Sequence, residues 1–308
     1  MTAAAPALIA VDWGSSTFRA YLMARDGAIL DATASADGVS TVAPGGFADA
    51  LRRLVGGWLD ARAELPILAS GMVGSRHGWR EAPYVKCPAD PSEIAARLVA
   101  VQAGDRLVHL APGLSYEDEN GEPDVMRGEE VEILGIAHAG GRLVVLPGSH
   151  SKWAIVENGR VERFRTFVTG ELFAAIRDHT LAGAFARAAG SKPPGAAFEL
   201  GVRRGAAAVR GEGLGLLAAL FGARSLPLMG RLAEDDAGEY LSGLLVGAEI
   251  AEARRLFPND EAQIAGANAL VERYLVAFAV LGEEAGAAPS RAAARGLLVL
   301  ARQAGLVS

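Results

Sequence analysis

Leu8-Ile9-Ala10-Val11-Asp12-Trp13-Gly14-Ser15-Ser16-Thr17-Phe18-Arg19-Ala20-Tyr21-Leu22-Met23 is the stretch from which the fold is read. An aliphatic and β-branched run predicts a buried strand, Gly-Ser-Ser-Thr a tight turn, and Phe18 to Met23 a returning strand. Gly14 at the tip lets main-chain N–H groups approach a ligand, and the hydroxyls of Ser15, Ser16 and Thr17 add donors. That combination suits an anion, a phosphate above all. Asp12, at the strand exit, can hold a metal or its water against the same phosphates. Asp-x-Gly-Ser is also a common turn with nothing bound, so the rest of the chain must decide.

Downstream, Asp26-Gly27 marks a turn before a third strand at 28–34. The apolar spacing of 47–63 predicts an amphipathic helix, and 66–69 a short strand, giving β-β-β-α-β. Ser70-Gly71-Met72-Val73-Gly74-Ser75-Arg76-His77-Gly78-Trp79-Arg80-Glu81-Ala82-Pro83-Tyr84 follows, a Gly-rich loop with two arginines and two large aromatics. It reads either as a ligand-contacting loop or as one whose Trp79 and Tyr84 plug against a domain. A helix is expected at 91–101, a strand at 107–110 and a polar acidic loop at 115–123. Glu129, Glu130 and Glu132 then open an apolar periodic stretch, where they either complement a helix N-terminus or include a general base.

Gly140-Gly141 looks like a joint, dividing the chain into domains 1–139 and 140–308. Beyond it a strand at 143–146, the turn Pro147-Gly148-Ser149-His150-Ser151-Lys152, a strand at 153–156 and a turn at Asn158-Gly159 repeat the opening arrangement. Gly148 follows Gly14 by 134 positions and Gly159 follows Gly27 by 132, which predicts an internal duplication. Helices are expected at 169–188, 196–210, 214–221, 237–256, 269–285 and 290–306, with loop punctuation at 190–195. Gln263 to Leu270 reads as strand, glycine turn at Gly266-Ala267-Asn268 and helix start, where a flat ligand can lie against main chain.

At 308 residues two domains are the first expectation, and a composition 51% apolar and 21% charged is that of an ordinary globular protein. A net charge of -6 argues against a nucleic-acid partner. Cys87, the single cysteine, excludes an internal disulfide and a multi-thiolate zinc site, and reads as a small core residue in a reducing compartment. The N-terminal run lacks a basic flank and no window has the length of a membrane span, so a cytoplasmic protein without a membrane partner is expected. Ser149-His150-Ser151-Lys152 contains the Ser-x-x-Lys of one acyl-hydrolase class, but the companion Ser-Asp-Asn and Lys-Thr-Gly motifs are missing.

The order of these features resembles the actin-like, hexokinase-type ATPase and sugar-kinase superfamily over essentially the whole chain. Asp12-x-Gly14-Ser15-Ser16-Thr17 resembles its first phosphate hairpin and Ser70-Gly71-Met72 its sugar loop. Gly148-Ser149-His150-Ser151 takes the place of the second hairpin and Gly266-Ala267-Asn268 that of the adenosine turn. More narrowly, 69–79, Met126-Arg127-Gly128-Glu129-Glu130 and 146–153 together resemble the 2-dehydro-3-deoxygalactonokinase family. The resemblance implies an α/β fold of two ribonuclease-H-like domains, mixed sheets flanked by helices, with the ligand cleft between them. It implies ATP and Mg²⁺, and phosphorylation of 2-dehydro-3-deoxy-D-galactonate at its terminal hydroxyl in galactonate catabolism. Glu129 stands where related kinases carry an aspartate base, and Asp124, four residues earlier, is the competing base. Ser70, Gly71, Met72, Arg76, Trp79 and Tyr84 would contact the sugar acid, Arg76 meeting its carboxylate, and Lys152 a phosphate. Kinases of another sugar, or a nucleotide-binding regulator on the same fold, are the rival readings. The sequence leaves the oligomeric state open, a homodimer included.

Overall fold

The computed structural model of the chain describes residues 5–62, 64–188, 192–258 and 260–307. Ala63 and Gly190, at the margins of a predicted helix and loop, lie outside them. The chain forms two compact units. One comprises 1–140 with Val156–Phe164 and Pro289–Ser308, and the other Gly141–Ile155 with Arg165–Ala288. The C-terminal segment is thus grouped with the first unit.

The first unit carries strands β1 (Pro6–Trp13), β2 (Phe18–Ala24), β3 (Ile29–Ser35), β4 (Ile67–Ser70), β5 (Tyr84–Lys86), β6 (Val99–Ala103), β7 (Arg106–Leu110), β8 (Gly113–Glu117) and β9 (Pro123–Met126). A six-stranded sheet runs β3-β2-β1-β4-β7-β6, and β5-β8-β9 form a small second sheet. β1 pairs antiparallel with β2 and parallel with β4, so the sheet is mixed. Ile9, Val11 and Trp13 alternate onto one face and pack with Phe18, Phe47, Leu51 and Ile67. Helix α1 (Phe47–Ala61) supplies Phe47 and Leu51, and the short α2 (Pro91–Ala95) is closed by a capping box from Asp90 and Glu93.

Two expectations fail here. The helix expected through residue 101 stops at Ala95, because Val99 and Val101 enter β6 and pair with β7 around a turn at Gly104. β-branched residues at period two outweigh the helical start. The acidic loop at 115–123 is largely the hairpin β8–β9, which places Asp124 on a strand, opposite Tyr116.

Helix α3 (Glu129–Ala137) follows β9. The second unit adds β10 (Leu143–Leu146), β13 (Ala262–Ile264), β14 (Ala285–Ala287), the first part of β11 (Ser151–Glu157) and the last part of β12 (Arg160–Phe167), in a sheet of order β12-β11-β10-β13-β14. Its helices are α4 (Thr169–His179), α5 (Ala184–Ala188), α6 (Ala196–Arg210), α7 (Leu216–Leu220), α8 (Gly222–Leu228), α9 (Ala237–Leu256) and α10 (Asn268–Leu281). α11 (Ala292–Gln303) returns to the first unit. Thr180–Gly183 breaks the single helix expected at 169–188, and β14 and α8 are additions to the expected elements. Five strands of each large sheet share one order, three antiparallel strands followed by two parallel additions. α6 and α9 approach closely enough that a Cβ on Gly201, Gly205, Gly243 or Gly247 would strike backbone of the facing helix. No described helix is long and apolar enough to cross a membrane.

Candidate active site

β1 delivers Asp12 to its C-terminal end, and the hairpin register sets it opposite Arg19, whose Nη1 donates to Asp12 Oδ2 at 3.1 Å. Trp13 anchors the strand end in the core, edge-on to Phe18 at 5.0 Å, so the exposed tip Ser15-Ser16-Thr17 rests on a rigid base. Gly14 N donates to the Thr17 carbonyl, closing the turn.

Two glycines bring the other motifs to this strand end. Gly71, at φ +95°, lies against the Trp13 carbonyl, where a Cβ would sit 2.7 Å from the oxygen. Gly128, at φ +109°, covers Gly71 in turn, where a Cβ would sit 3.1 Å from the Gly71 Cα. The phosphate-type hairpin, the Ser70-Gly71-Met72 loop and Arg127-Gly128-Glu129 therefore meet main chain to main chain, with Ser70 beside Asp12 in the β1–β4 register.

This places Glu129, at the first turn of α3, close enough to act electrostatically on Asp12. Burial, assisted by the Glu129 charge, raises the Asp12 carboxyl above its usual range against the opposing pull of Arg19. Glu132, one turn along α3, is pushed up to about 7 by burial and then by Asp12 and Glu129. Glu129 Oε2 accepts from Arg127 N at 3.1 Å, and Glu130 Oε2 from Gly128 N at 2.6 Å. Asp124 accepts from Val125 N at 2.7 Å on β9.

The loop after β4 is folded on its own backbone, Trp79 N donating to the Val73 carbonyl and Ala82 N to that of Gly74. Trp79 stacks on Phe47 at 5.9 Å, Met72 packs against the same core, and the Tyr84 ring lies under the Arg127 guanidinium. Arg76 is exposed, 3.8 Å from Glu81.

In the second unit Ser149 and His150 are exposed at the hairpin tip, and His150 Nε2 lies 2.6 Å from Glu171 Oε2. Ser151 and Lys152, which open β11, are both buried. Lys152 Nζ donates to the His150 carbonyl at 3.2 Å. Tyr274 donates to Glu249 Oε2 at 2.7 Å, so across the 3.1 Å contact between the hydroxyls of Ser151 and Tyr274 it is Ser151 that donates. Trp153 Nε1 donates to Glu249 Oε1 at 2.8 Å, and Thr169 also bonds this carboxylate. Ser151 is thus committed to a buried network, which is not the setting of an activated acyl nucleophile. The Cys87 thiol, buried and pushed up to about 12, is equally inert.

Gly170 seats against the Gly148 carbonyl, and Gly266, at φ +138°, turns the chain from β13 into α10 beside Pro147, with Asn268 exposed at the helix start. Next to Gly148 a cavity of about 220 Å³ is lined by Thr169, Phe173, Leu270, Arg273 and Tyr274 among others. Arg273 is held in its wall by a two-pronged ion pair to Glu239, both contacts 2.8 Å. Local sequence carried no signal for Glu249 or Tyr274, whose roles depend on burial and on partners far along the chain.

The model of the DGOK family, 2-keto-3-deoxy-galactonokinase, matches residues 12–300. A Rhizobium meliloti (strain 1021) protein named as a probable 2-dehydro-3-deoxygalactonokinase is 44% identical over 79% of this chain and 79% of its own. The Escherichia coli (strain K12) 2-dehydro-3-deoxygalactonokinase is 35% identical over 89% of this chain and 90% of its own. A crystal structure of a candidate 2-dehydro-3-deoxygalactonokinase from Sinorhizobium meliloti superposes with a TM-score of 0.82 at 39% identity, covering 96% of each chain. The chain belongs to the 2-keto-3-deoxy-galactonokinase family.

Proposed function

We propose that this protein transfers the γ-phosphoryl group of ATP to the terminal 6-hydroxyl of 2-dehydro-3-deoxy-D-galactonate, a step of galactonate catabolism. Family membership over residues 12–300 motivates the substrate. The observation that carries the chemistry is the convergence of Asp12, Ser70-Gly71 and Glu129 at one strand end.

Phosphoryl transfer asks a protein for positioning, charge neutralisation and a proton acceptor. Glu129 takes the hydroxyl proton, Asp124 being the competing base. The tip donors of Gly14 to Thr17 and of Gly148 to His150 hold phosphate oxygens, and the cavity beside Gly148, with the Gly266–Asn268 turn, receives the adenosine. No cluster of three metal-ligating side chains occurs among the described residues. Asp12, at the end of β1, would orient Mg²⁺ through water. Mg²⁺, when bound, neutralises phosphate charge.

The reading needs both hairpins on one triphosphate, in a cleft between two ribonuclease-H-like halves divided near 139/140. Compaction in solution scattering with an ATP analogue and the sugar acid together tests that requirement. The primary experiment is ATP consumption with Mg²⁺ across 2-dehydro-3-deoxygalactonate, its gluconate epimer, other aldonic acids and hexoses. Turnover on the first alone is expected, and turnover only on another compound sinks the substrate assignment.

A further inference from the structure

Arg127 closes the turn between β9 and α3 and is 9% exposed. Its Nη2 donates to the Ala82 carbonyl at 2.8 Å, and the Tyr84 ring covers the guanidinium at 4.4 Å from ring centroid to Cζ. Nη1 passes so near Gly74 that a Cβ there would sit 3.2 Å away. Nε and Nη1 are buried and meet no acceptor, and Arg127 has no ion pair among the described residues. The carboxyl that its charge reaches, Glu130, is itself pushed up to about 8 by burial and Glu129, and so is mostly protonated at neutral pH.

A guanidinium cannot shed its proton to escape burial. Leaving it without a counter-ion, and with two idle nitrogens, is among the costlier arrangements a fold can keep. The idle donors are also grouped: the buried hydroxyls of Ser70 and Ser75, flanking Gly71 and Gly74, have no partner either. Arg76, the other cation of this loop, is 80% exposed and already near Glu81, where a charge is well solvated and worth little.

We propose that Arg127, not Arg76, is the cation that receives the carboxylate of the sugar acid, its idle N–H groups becoming available when Tyr84 lifts from the guanidinium. The inference rests on the kinase reading above and adds the residue that selects acids over neutral sugars. Tyr84 is suited to move. It lies on the three-residue edge strand β5, is 43% exposed, and packs over Gly113, where any side chain would collide with its ring.

Steady-state kinetics of Arg127→Met, Arg127→Lys and Arg76→Met provide the test, with melting curves as the check on folding. Loss of a buried charge-assisted contact is expected to raise KM for the sugar acid about a hundredfold in Arg127→Met, with KM for ATP little changed and partial recovery in Arg127→Lys. A folded Arg127→Met with wild-type KM, or a larger loss in Arg76→Met, overturns the inference and assigns Arg127 to holding Tyr84. Should Arg127→Met fail to fold, the wild-type crystal structure with sugar acid and ADP decides. A carboxylate bonded to Arg127 is expected there, and one seated elsewhere overturns the idea. Wild-type turnover confined to neutral sugars defeats the kinase substrate reading itself, and is seen before any variant is made.

Discussion

Each half of the molecule carries a Gly-Ser hairpin and a fully buried glutamate, and the two halves treat them in opposite ways. In the second, Glu249 accepts from Trp153 and Tyr274 and Ser151 is tied to the same tyrosine, so the base of the hairpin is a satisfied core network. In the first, Glu130 accepts from Gly128 and keeps an idle Oε1, and Ser70, Ser75 and Arg127 carry buried donors without a partner. Asp12 is raised there by burial and then by Glu129, and Glu132 by burial and then by Asp12 and Glu129. Polar groups that a fold buries for stability find partners within the fold. Those left underpaired and mutually repelling mark where stability is spent on chemistry.

The comparison breaks most visibly if variants of the first half unfold the protein instead of silencing it. Glu129→Gln is expected to lower kcat about a thousandfold, as loss of a proton acceptor does, and Asp12→Asn to reduce it comparably. Neither should lower the melting temperature, and Asp12→Asn removes a carboxylate whose ionisation the fold disfavours. A marked drop in melting temperature for Asp12→Asn would place it with the structural acids. Glu249→Leu, by contrast, strands the Trp153 N–H and the Tyr274 hydroxyl, and should cost about 3 kcal/mol by denaturant titration.

The pH dependence of stability offers a further test at Glu130. Glu130 sits at about 8 in the fold against an ordinary 4.5, so the native state holds a proton that the unfolded chain releases. Its contribution is complete below about 4.5 and is lost as pH rises toward 8, costing a few kcal/mol across that window. Melting curves from pH 5 to 9 should show Glu130→Gln gaining on the wild type as pH rises, and a parallel pair of curves would remove Glu130 from this account. The smallest effect is at the hairpin hydroxyls. Ser151→Ala is expected to cost about 1 kcal/mol in stability, whereas Ser15→Ala, at an exposed tip, should register in KM for ATP and hardly in unfolding.

The hairpins, the strand order of their first members and the long helix at 237–256 were legible because period-two and period-3.6 apolar patterns are local. The helix expected over 91–101 failed because partners elsewhere in the sheet claimed its second half. The Ser70–Tyr84 loop was legible as unusual, yet not which of its aromatics belong to the core. Only packing shows Trp79 against Phe47 and Tyr84 against Arg127.

Residue types and spacing by themselves determined the two hairpins, the family resemblance and the short list of acids, since each depends on chemistry within a few residues. The tertiary structure alone decided which polar groups are satisfied. Ser149 and Ser151 differ by two positions in sequence, yet one is exposed and the other is locked to Tyr274, 123 residues away. Arg76 and Arg127 are equal as cations on paper, but only the second is desolvated and lacks a counter-ion. Desolvation depends on what distant segments the fold lays over a group, and that information is carried by no single stretch of the chain.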